Sequence, residues 1–265
     1  MMTLTYPQKI HSRSAFSLAE LLVVIGVIVV LLSLALPAMS GARKSARALG
    51  GLANVRTCAT ALFGYAGDWR DLPPVYAPPS WPEPGTWVFD FQTQKRPWFD
   101  HGEAANLGLT EYAGSHLAFR APNNQQVEPR KIVTHRGVQI SHADYTLTNT
   151  AYAEPDFFSW DRHEGPRQFR PMPLSRVRFP YAKGAFGTSK DYAPGGVFVG
   201  YTRAPGVRSG VAFFDGSALD FELNSTPQGF FNYYAGWRVA PGVDPRSMRL
   251  AGIWDTLDGF DGRDR

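Results

Sequence analysis

One stretch of the chain, residues 16–39, constrains the possible folds more than any other. It reads FSLAELLVVIGVIVVLLSLALPAM, 24 residues with a single charge, that of Glu20. A helix of this length, rising about 1.5 Å per residue, is about 36 Å long and exceeds the roughly 30 Å hydrocarbon core of a bilayer. We therefore predict a membrane-spanning helix. Glu20 is a functional candidate, because an ionisable residue within a membrane is costly.

The residues around Glu20 form a specific pattern. A short leader with basic residues, residues 1–15, ends at Ala15, and Phe16 precedes Glu20 by four positions. This pattern resembles the class III signal of type IV prepilins and pseudopilins. The resemblance implies that a prepilin peptidase cuts between Ala15 and Phe16 and methylates the new amino group of Phe16. It also implies that Glu20 pairs with the N-terminal amine of a neighbouring subunit during fibre assembly. In that family Gly precedes the cut, and this chain has Ala15 there.

Two other interpretations of the apolar stretch stay open. A cleaved secretory signal would place its peptidase site at residues 38–40, but the apolar run is longer than the usual core of about 7–15 residues. A plain signal anchor has a suitable length. Neither interpretation accounts for a glutamate one turn into the span. Basic residues flank both ends, so the positive-inside rule gives no orientation. The resemblance implies a single-pass protein of the inner membrane, with the leader in the cytoplasm and the C-terminal domain in the periplasm or outside.

The positive charge is confined to the N-terminal part of the chain. Residues 1–71 hold 7 Lys and Arg against 3 Asp and Glu, which equals the net charge of +4 for the whole chain. Residues 72–265 are neutral overall and lack the basic patch that nucleic-acid binding usually needs. The single cysteine, Cys58, permits no intramolecular disulfide. It lies in a helical pattern and is predicted to pack inside; an intermolecular bridge is the alternative.

The helical pattern continues through residues 40–71, which form the junction to the C-terminal domain. Pro37 is predicted to kink the helix. Apolar residues then recur three or four positions apart and define one stripe: Leu49, Leu52, Val55, Ala59, Leu62 and Ala66. We predict one helix of about 50 residues and about 75 Å. Its first half faces lipid or other subunits, and its second half packs on the domain.

Residues 72–265 are predicted to form a β-rich extracytoplasmic domain. The chain is rich in aromatic residues, Pro and Gly, which favour strands and turns. Asp215-Gly216 between two apolar runs predicts a hairpin. The fold class is therefore α+β and pilin-like, a long N-terminal helix packed on an antiparallel sheet. Predicted strands cover residues 86–91, 131–140, 145–150, 175–179, 196–202, 210–214 and 218–223, with a short helix at 104–112 and a polar loop at 154–175.

The resemblance extends to the junction and, in part, to the domain. Residues 42–47 followed by Asn54, Tyr65 and Pro73-Pro74 resemble the junction in prepilin-type proteins with an appended domain of unknown function. In that group a histidine often precedes an Asp-Gly pair by nine residues. Asp215-Gly216 matches that pair, whereas Pro205 stands at the histidine position. The histidine's role is therefore not carried over.

No catalytic motif stands out, and we expect a structural protein without cofactor or metal. There is no nucleophile elbow, Gly-rich phosphate loop or His-Glu-x-x-His. The aspartates of the tail, residues 254–265, are three apart, unlike the ligands of an EF-hand. They predict a solvated tail, with calcium binding as the alternative: Asp255, Asp258, Asp261 and Asp264. The expected partners are the prepilin peptidase, other pilin-like subunits and the inner membrane. The alternative is a membrane-anchored extracytoplasmic binding domain that does not polymerise, with four tryptophans as candidate contact residues: Trp81, Trp87, Trp98 and Trp160.

Overall fold

In the computed structural model, the chain divides into two compact units, which are Met1–Ala46 and Arg47–Arg265. The described residues are 18–75, 99–122, 133–135, 138–140, 144–188, 206, 208–232, 244, 246 and 251–265. The helices are α1 (Leu18–Asp68) and α2 (Asp100–Ala113). The strands are β1 (Val133–His135), β2 (Val138–Ile140), β3 (Tyr145–Leu147), β4 (Gly184–Thr188), β5 (Arg208–Phe213) and β6 (Ala218–Glu222).

The helix α1 has 51 residues and includes Pro37. The prediction of one helix of about 50 residues is therefore confirmed. From Arg47 onward, most of the predicted stripe is buried in the second unit, at Val55, Ala59, Leu62 and Ala66. Leu49 departs from the prediction, because its side chain is exposed.

Polar contacts also hold the second half of α1 to the domain. The Tyr145 hydroxyl donates to the carbonyl oxygen of Gly51 at 3.2 Å. The amide of Asn54 donates to the carbonyl oxygen of Arg120 at 2.9 Å. Since these bonds join residues far apart in sequence, they fix the helix on the domain in a defined register.

Strands β3, β4, β5 and β6 form one antiparallel sheet in that order, and β1 and β2 form a separate antiparallel pair. The α+β prediction is confirmed: a long apolar N-terminal helix accompanies an open antiparallel sheet. The predicted hairpin at Asp215-Gly216 is also confirmed, since it joins β5 to β6. Gly216 has a φ of +81°, a conformation that glycine adopts without steric cost.

Several predicted strands need correction. Residues 131–140 contain two short strands rather than one. The strand predicted at 145–150 ends at Leu147, and a 3₁₀ helix follows at Asn149–Tyr152. Residues 175–179 contain no strand; a 3₁₀ helix occupies Leu174–Arg176 after Pro173, whose ring is compatible with a tight turn. The strands at 86–91 and 196–202 lie outside the described residues.

Helix α2 agrees with the sequence prediction, whereas strand β4 does not. The short helix at 104–112 is confirmed as part of α2. The strand β4 was not predicted, because its sequence, GAFGT, has two glycines and weak alternation. Its neighbours in the sheet supply the pairing that its own composition does not favour.

Two segments, predicted to be a polar loop and a solvated tail, contribute aromatic residues to the core. In the predicted loop 154–175, Phe157, Phe158 and Phe169 are buried. The ring of Phe157 contacts those of Phe158 and Phe169 edge-on, with centroids 4.9 and 5.2 Å apart. In the predicted solvated tail, Trp254 and Phe260 are buried. Short 3₁₀ helices beginning near prolines turn the first segment so that its aromatic side chains point inward.

Candidate functional site

The apolar part of α1 is the first candidate site. Among the described side chains of residues 18–39, all are exposed, including the large apolar ones. The described residues contain one helix long and apolar enough to cross a membrane, and its most apolar window is unburied. Soluble monomers rarely expose so large a continuous apolar surface. A helix that is apolar on all sides requires a bilayer or other helices around it.

Glu20 lies in the first turn of α1 and is exposed. A negative charge in this position interacts favourably with the helix dipole. Ala15 and Phe16, the predicted processing residues, lie outside the described residues. Glu20, the predicted assembly residue, lies at the start of the apolar segment.

The Asp215-Gly216 pair is a structural turn. One carboxylate oxygen of Asp215 accepts hydrogen bonds from the backbone N–H and the hydroxyl of Ser217, at 2.9 and 2.6 Å. These local bonds stabilise the turn between β5 and β6. They account for the aspartate and the glycine without any reaction chemistry.

A cluster of buried ionisable groups forms the second candidate site, and no sequence pattern predicted it. Lys183 and Asp264 are both fully buried, with the lysine Nζ 3.4 Å and 3.5 Å from the two carboxyl oxygens. The backbone N–H of Gly184 donates to Asp264 Oδ2 at 2.6 Å. The hydroxyl of Thr256 contacts both the lysine Nζ and Asp264 Oδ1.

Burial shifts the pKa values of this pair toward the uncharged forms. Loss of solvation lowers the pKa of the Lys183 amine, and the neighbouring carboxyl of Asp264 opposes that shift. Loss of solvation raises the pKa of Asp264, against the effects of Lys183 and Thr256. Moving a charged group from water into the protein interior costs on the order of several kcal/mol per ion. The site therefore disfavours a fully ionised pair.

Asp255 is a second buried carboxyl in the same region. It accepts hydrogen bonds from the side-chain amides of Asn149, at 2.9 and 3.1 Å, and of Asn232, at 2.8 Å. Burial raises its pKa to about 6, although both amides and Lys183 favour the ionised form. Asp255 and Asp264 are the tail residues that the sequence interpretation placed in solvent.

Other ionisable groups form surface or packing contacts. Arg162 pairs with Asp156 at 2.7 Å and with Asp258 at 2.8 Å, and all three side chains are about half exposed. Nδ1 of His163 lies 2.7 Å from the carbonyl oxygen of Phe157. Within the described parts of the chain, no three His, Cys, Asp or Glu side chains are arranged to hold a metal ion.

Cys58 is fully buried, as predicted, and its thiol lies 3.5 Å from the carbonyl oxygen of Ala118. Burial raises the pKa of the thiol, which keeps it protonated and unreactive.

No protein-family model, curated protein or solved structure matches the chain. Function must therefore be inferred from the residues and contacts described above.

Proposed function

We propose that the chain is a structural, pilin-like subunit of a type II secretion or type IV pilus-like system. The observation that carries the proposal is the unburied apolar half of α1, with Glu20 in its first turn. The proposal assigns this half to the inner membrane before assembly and to a bundle of subunit helices afterwards. The domain then lies in the periplasm or outside, and its role is structural rather than catalytic.

The dimensions of the helix support the membrane step. Residues 18–39 of α1 form a segment of about 33 Å at 1.5 Å per residue, close to the roughly 30 Å core of a bilayer. Glu20 is the only charged residue in the segment. Arg43 and Arg47 follow it and are exposed, as expected for residues that meet lipid headgroups.

Glu20 supports the assembly step. Exchange of lipid contacts for helix contacts provides little hydrophobic driving force, because lipid tails are as apolar as the helix. Packing and polar pairs must therefore determine how subunits associate. In the proposal, a prepilin peptidase cuts between Ala15 and Phe16 and methylates Phe16. Glu20 then pairs with the new N-terminal amine of a neighbouring subunit.

The mature N-terminus tests the processing step. Mass spectrometry of the membrane-extracted protein is expected to identify N-methyl-Phe16 as the first residue. An intact Met1, or an N-terminus at Gly41, would contradict it. An intact Met1 fits a membrane-anchored binding domain that does not polymerise. An N-terminus at Gly41 fits a cleaved secretory signal. Of the tryptophans considered for such a binding role, Trp160 packs on Phe230 with ring centroids 4.6 Å apart.

A substitution of Glu20 tests the assembly step. Glu20→Ala is expected to insert into the membrane normally and to be lost from the assembled fibre fraction. Glu111→Ala provides the matched control, because Glu111 is an exposed glutamate on α2 of the domain. Equal incorporation of both variants into the fibre fraction would contradict a role of Glu20 in assembly.

A further inference from the structure

A fully buried lysine is unusual, and Lys183 has an unusual neighbour. Lysine side chains almost never lose all contact with solvent unless they are paired. Here the amine faces the side-chain carboxyl of Asp264, and both side chains are completely buried. The contact joins the residue just before β4 to the next-to-last residue of the chain. The proposed function makes no use of this pair.

We propose that Lys183 and Asp264 condense to an intramolecular isopeptide bond. The lysine Nζ attacks the side-chain carboxyl carbon of Asp264, and a carbon–nitrogen bond forms. The bond between this carbon and one carboxyl oxygen breaks, and that oxygen leaves as water, carrying the acid proton and one proton from the amine. The product is a neutral secondary amide, and the reaction requires neither an oxidant nor an external reactant.

The contacts around the pair suit each stage of this reaction. Nζ lies 3.4 and 3.5 Å from the two carboxyl oxygens, so the amine is held against the carboxyl group whose carbon it attacks. The N–H of Gly184 donates to Oδ2 at 2.6 Å, where negative charge develops in the tetrahedral intermediate. The hydroxyl of Thr256 contacts both Nζ and Oδ1 and therefore connects the proton donor with the leaving oxygen.

The surroundings also favour the reactive protonation states. Condensation requires a neutral amine as nucleophile and a protonated carboxyl as electrophile. Desolvation shifts the pKa of Lys183 downward and that of Asp264 upward, which favours both states. Conversion of the pair to an amide removes two ionisable groups from the interior and thereby removes their desolvation cost.

The bond would fasten the tail to the sheet. The two residues are 81 positions apart, and noncovalent contacts already hold the tail there. The backbone N–H of Asp264 donates to the carbonyl oxygen of Ala182 at 2.8 Å, and the Arg265 side chain donates to the carbonyl oxygen of Tyr181 at 2.7 Å. A covalent link that closes a long loop restricts the unfolded chain. The single cysteine cannot supply such a link within the domain.

Peptide mass spectrometry of the full chain tests the proposal directly. The protein is extracted in detergent, its folding is checked by circular dichroism, and it is then denatured and digested with trypsin. The expected product contains residues 179–190, uncut after Lys183 and joined to Asp264-Arg265, with a mass lower than the sum of the parts by one water. Recovery of residues 179–183 and 264–265 as separate peptides from folded protein would overturn the proposal.

Variants assign the bond to its residues. Lys183→Ala and Asp264→Ala are expected to lose the linked peptide completely, and Asp261→Ala, an exposed aspartate in the same tail, is expected to retain it. Thr256→Val is expected to form the link more slowly after synthesis, in a pulse-chase followed by the same digest. A linked peptide that survives in Lys183→Ala would contradict the assignment. None of these results depends on processing at Phe16.

Discussion

The two halves of α1 share one secondary structure and have opposite surroundings. From Leu18 to Ala46 the described side chains are exposed, and the apolar ones cover all sides of the helix. From Arg47 to Asp68 most of the apolar stripe is buried against the domain, at Val55, Ala59, Leu62 and Ala66, whereas Leu49 is exposed. Helical periodicity therefore marks the half that packs within the chain. Its absence marks the half that requires lipid or other helices.

Removal of the first half should have the largest effect. A chain that begins at Arg47 loses the continuous exposed apolar surface, while the unit Arg47–Arg265 keeps its core. We expect this truncated protein to be soluble and to unfold cooperatively on heating, whereas the full chain sediments with membranes. Fractionation and circular dichroism measure both properties. A truncated protein that stays in the membrane would contradict the claim that only the first half of α1 requires lipid or other helices.

Matched leucine substitutions test the same difference between the two halves of α1. Leu62 is fully buried, and Leu31 is 61% exposed on the same helix. Leu62→Ala should destabilise the domain by about 2–5 kcal/mol through lost burial and a cavity. Leu31→Ala should change domain stability by less than about 0.5 kcal/mol. Urea unfolding of both variants in detergent measures the difference. Equal effects would mean that both halves contribute to the folded domain.

Buried ionisable groups make the stability of the domain depend on pH. Burial raises the pKa of Asp255 from 3.8 to about 6, so the folded state binds its proton more tightly than the unfolded state does. The Asp255 contribution to stability therefore falls as pH rises from about 4 to 6, by up to about 3 kcal/mol, and then levels off.

The variant Asp255→Asn isolates this contribution. We expect its free energy of unfolding to fall less between pH 4 and 6 than that of the wild type, because no proton is lost at this position. Asp261→Asn serves as the control, since Asp261 is exposed in the same tail. Urea titrations at several pH values provide the measurement. Parallel pH profiles for wild type and Asp255→Asn would show that Asp255 titrates as it does in the unfolded chain.

The sequence predicts the parts of the fold that carry a strong local pattern. The length of α1, the burial of four of the six stripe residues, the burial of Cys58 and the hairpin at Asp215-Gly216 are confirmed. Each depends on residues close together in the sequence, through periodicity or turn chemistry. The position of Glu20 at the start of the apolar helix follows from the same local pattern.

The parts that the sequence does not predict depend on distant partners. Asp264 reads as a solvated tail residue until Lys183 and the N–H of Gly184, some 80 positions away, are brought against it. Phe157 and Phe158 lie in a Pro-rich segment without strand or helix periodicity, and they become core residues through contacts with each other and with Phe230. No local pattern encodes such tertiary contacts.

Cross-linking along α1 tests most directly whether its first half is a surface between subunits. Ile28→Cys introduces a thiol in the exposed apolar half, in a background where Cys58→Ala removes the native one. Thr60→Cys, at an exposed position of the second half, is the matched site. Oxidation in the native membrane is predicted to give Ile28→Cys dimers that disappear when Glu20→Ala is added. Ile28→Cys protein that stays monomeric, or cross-links equally well without Glu20, would contradict assembly through this helix.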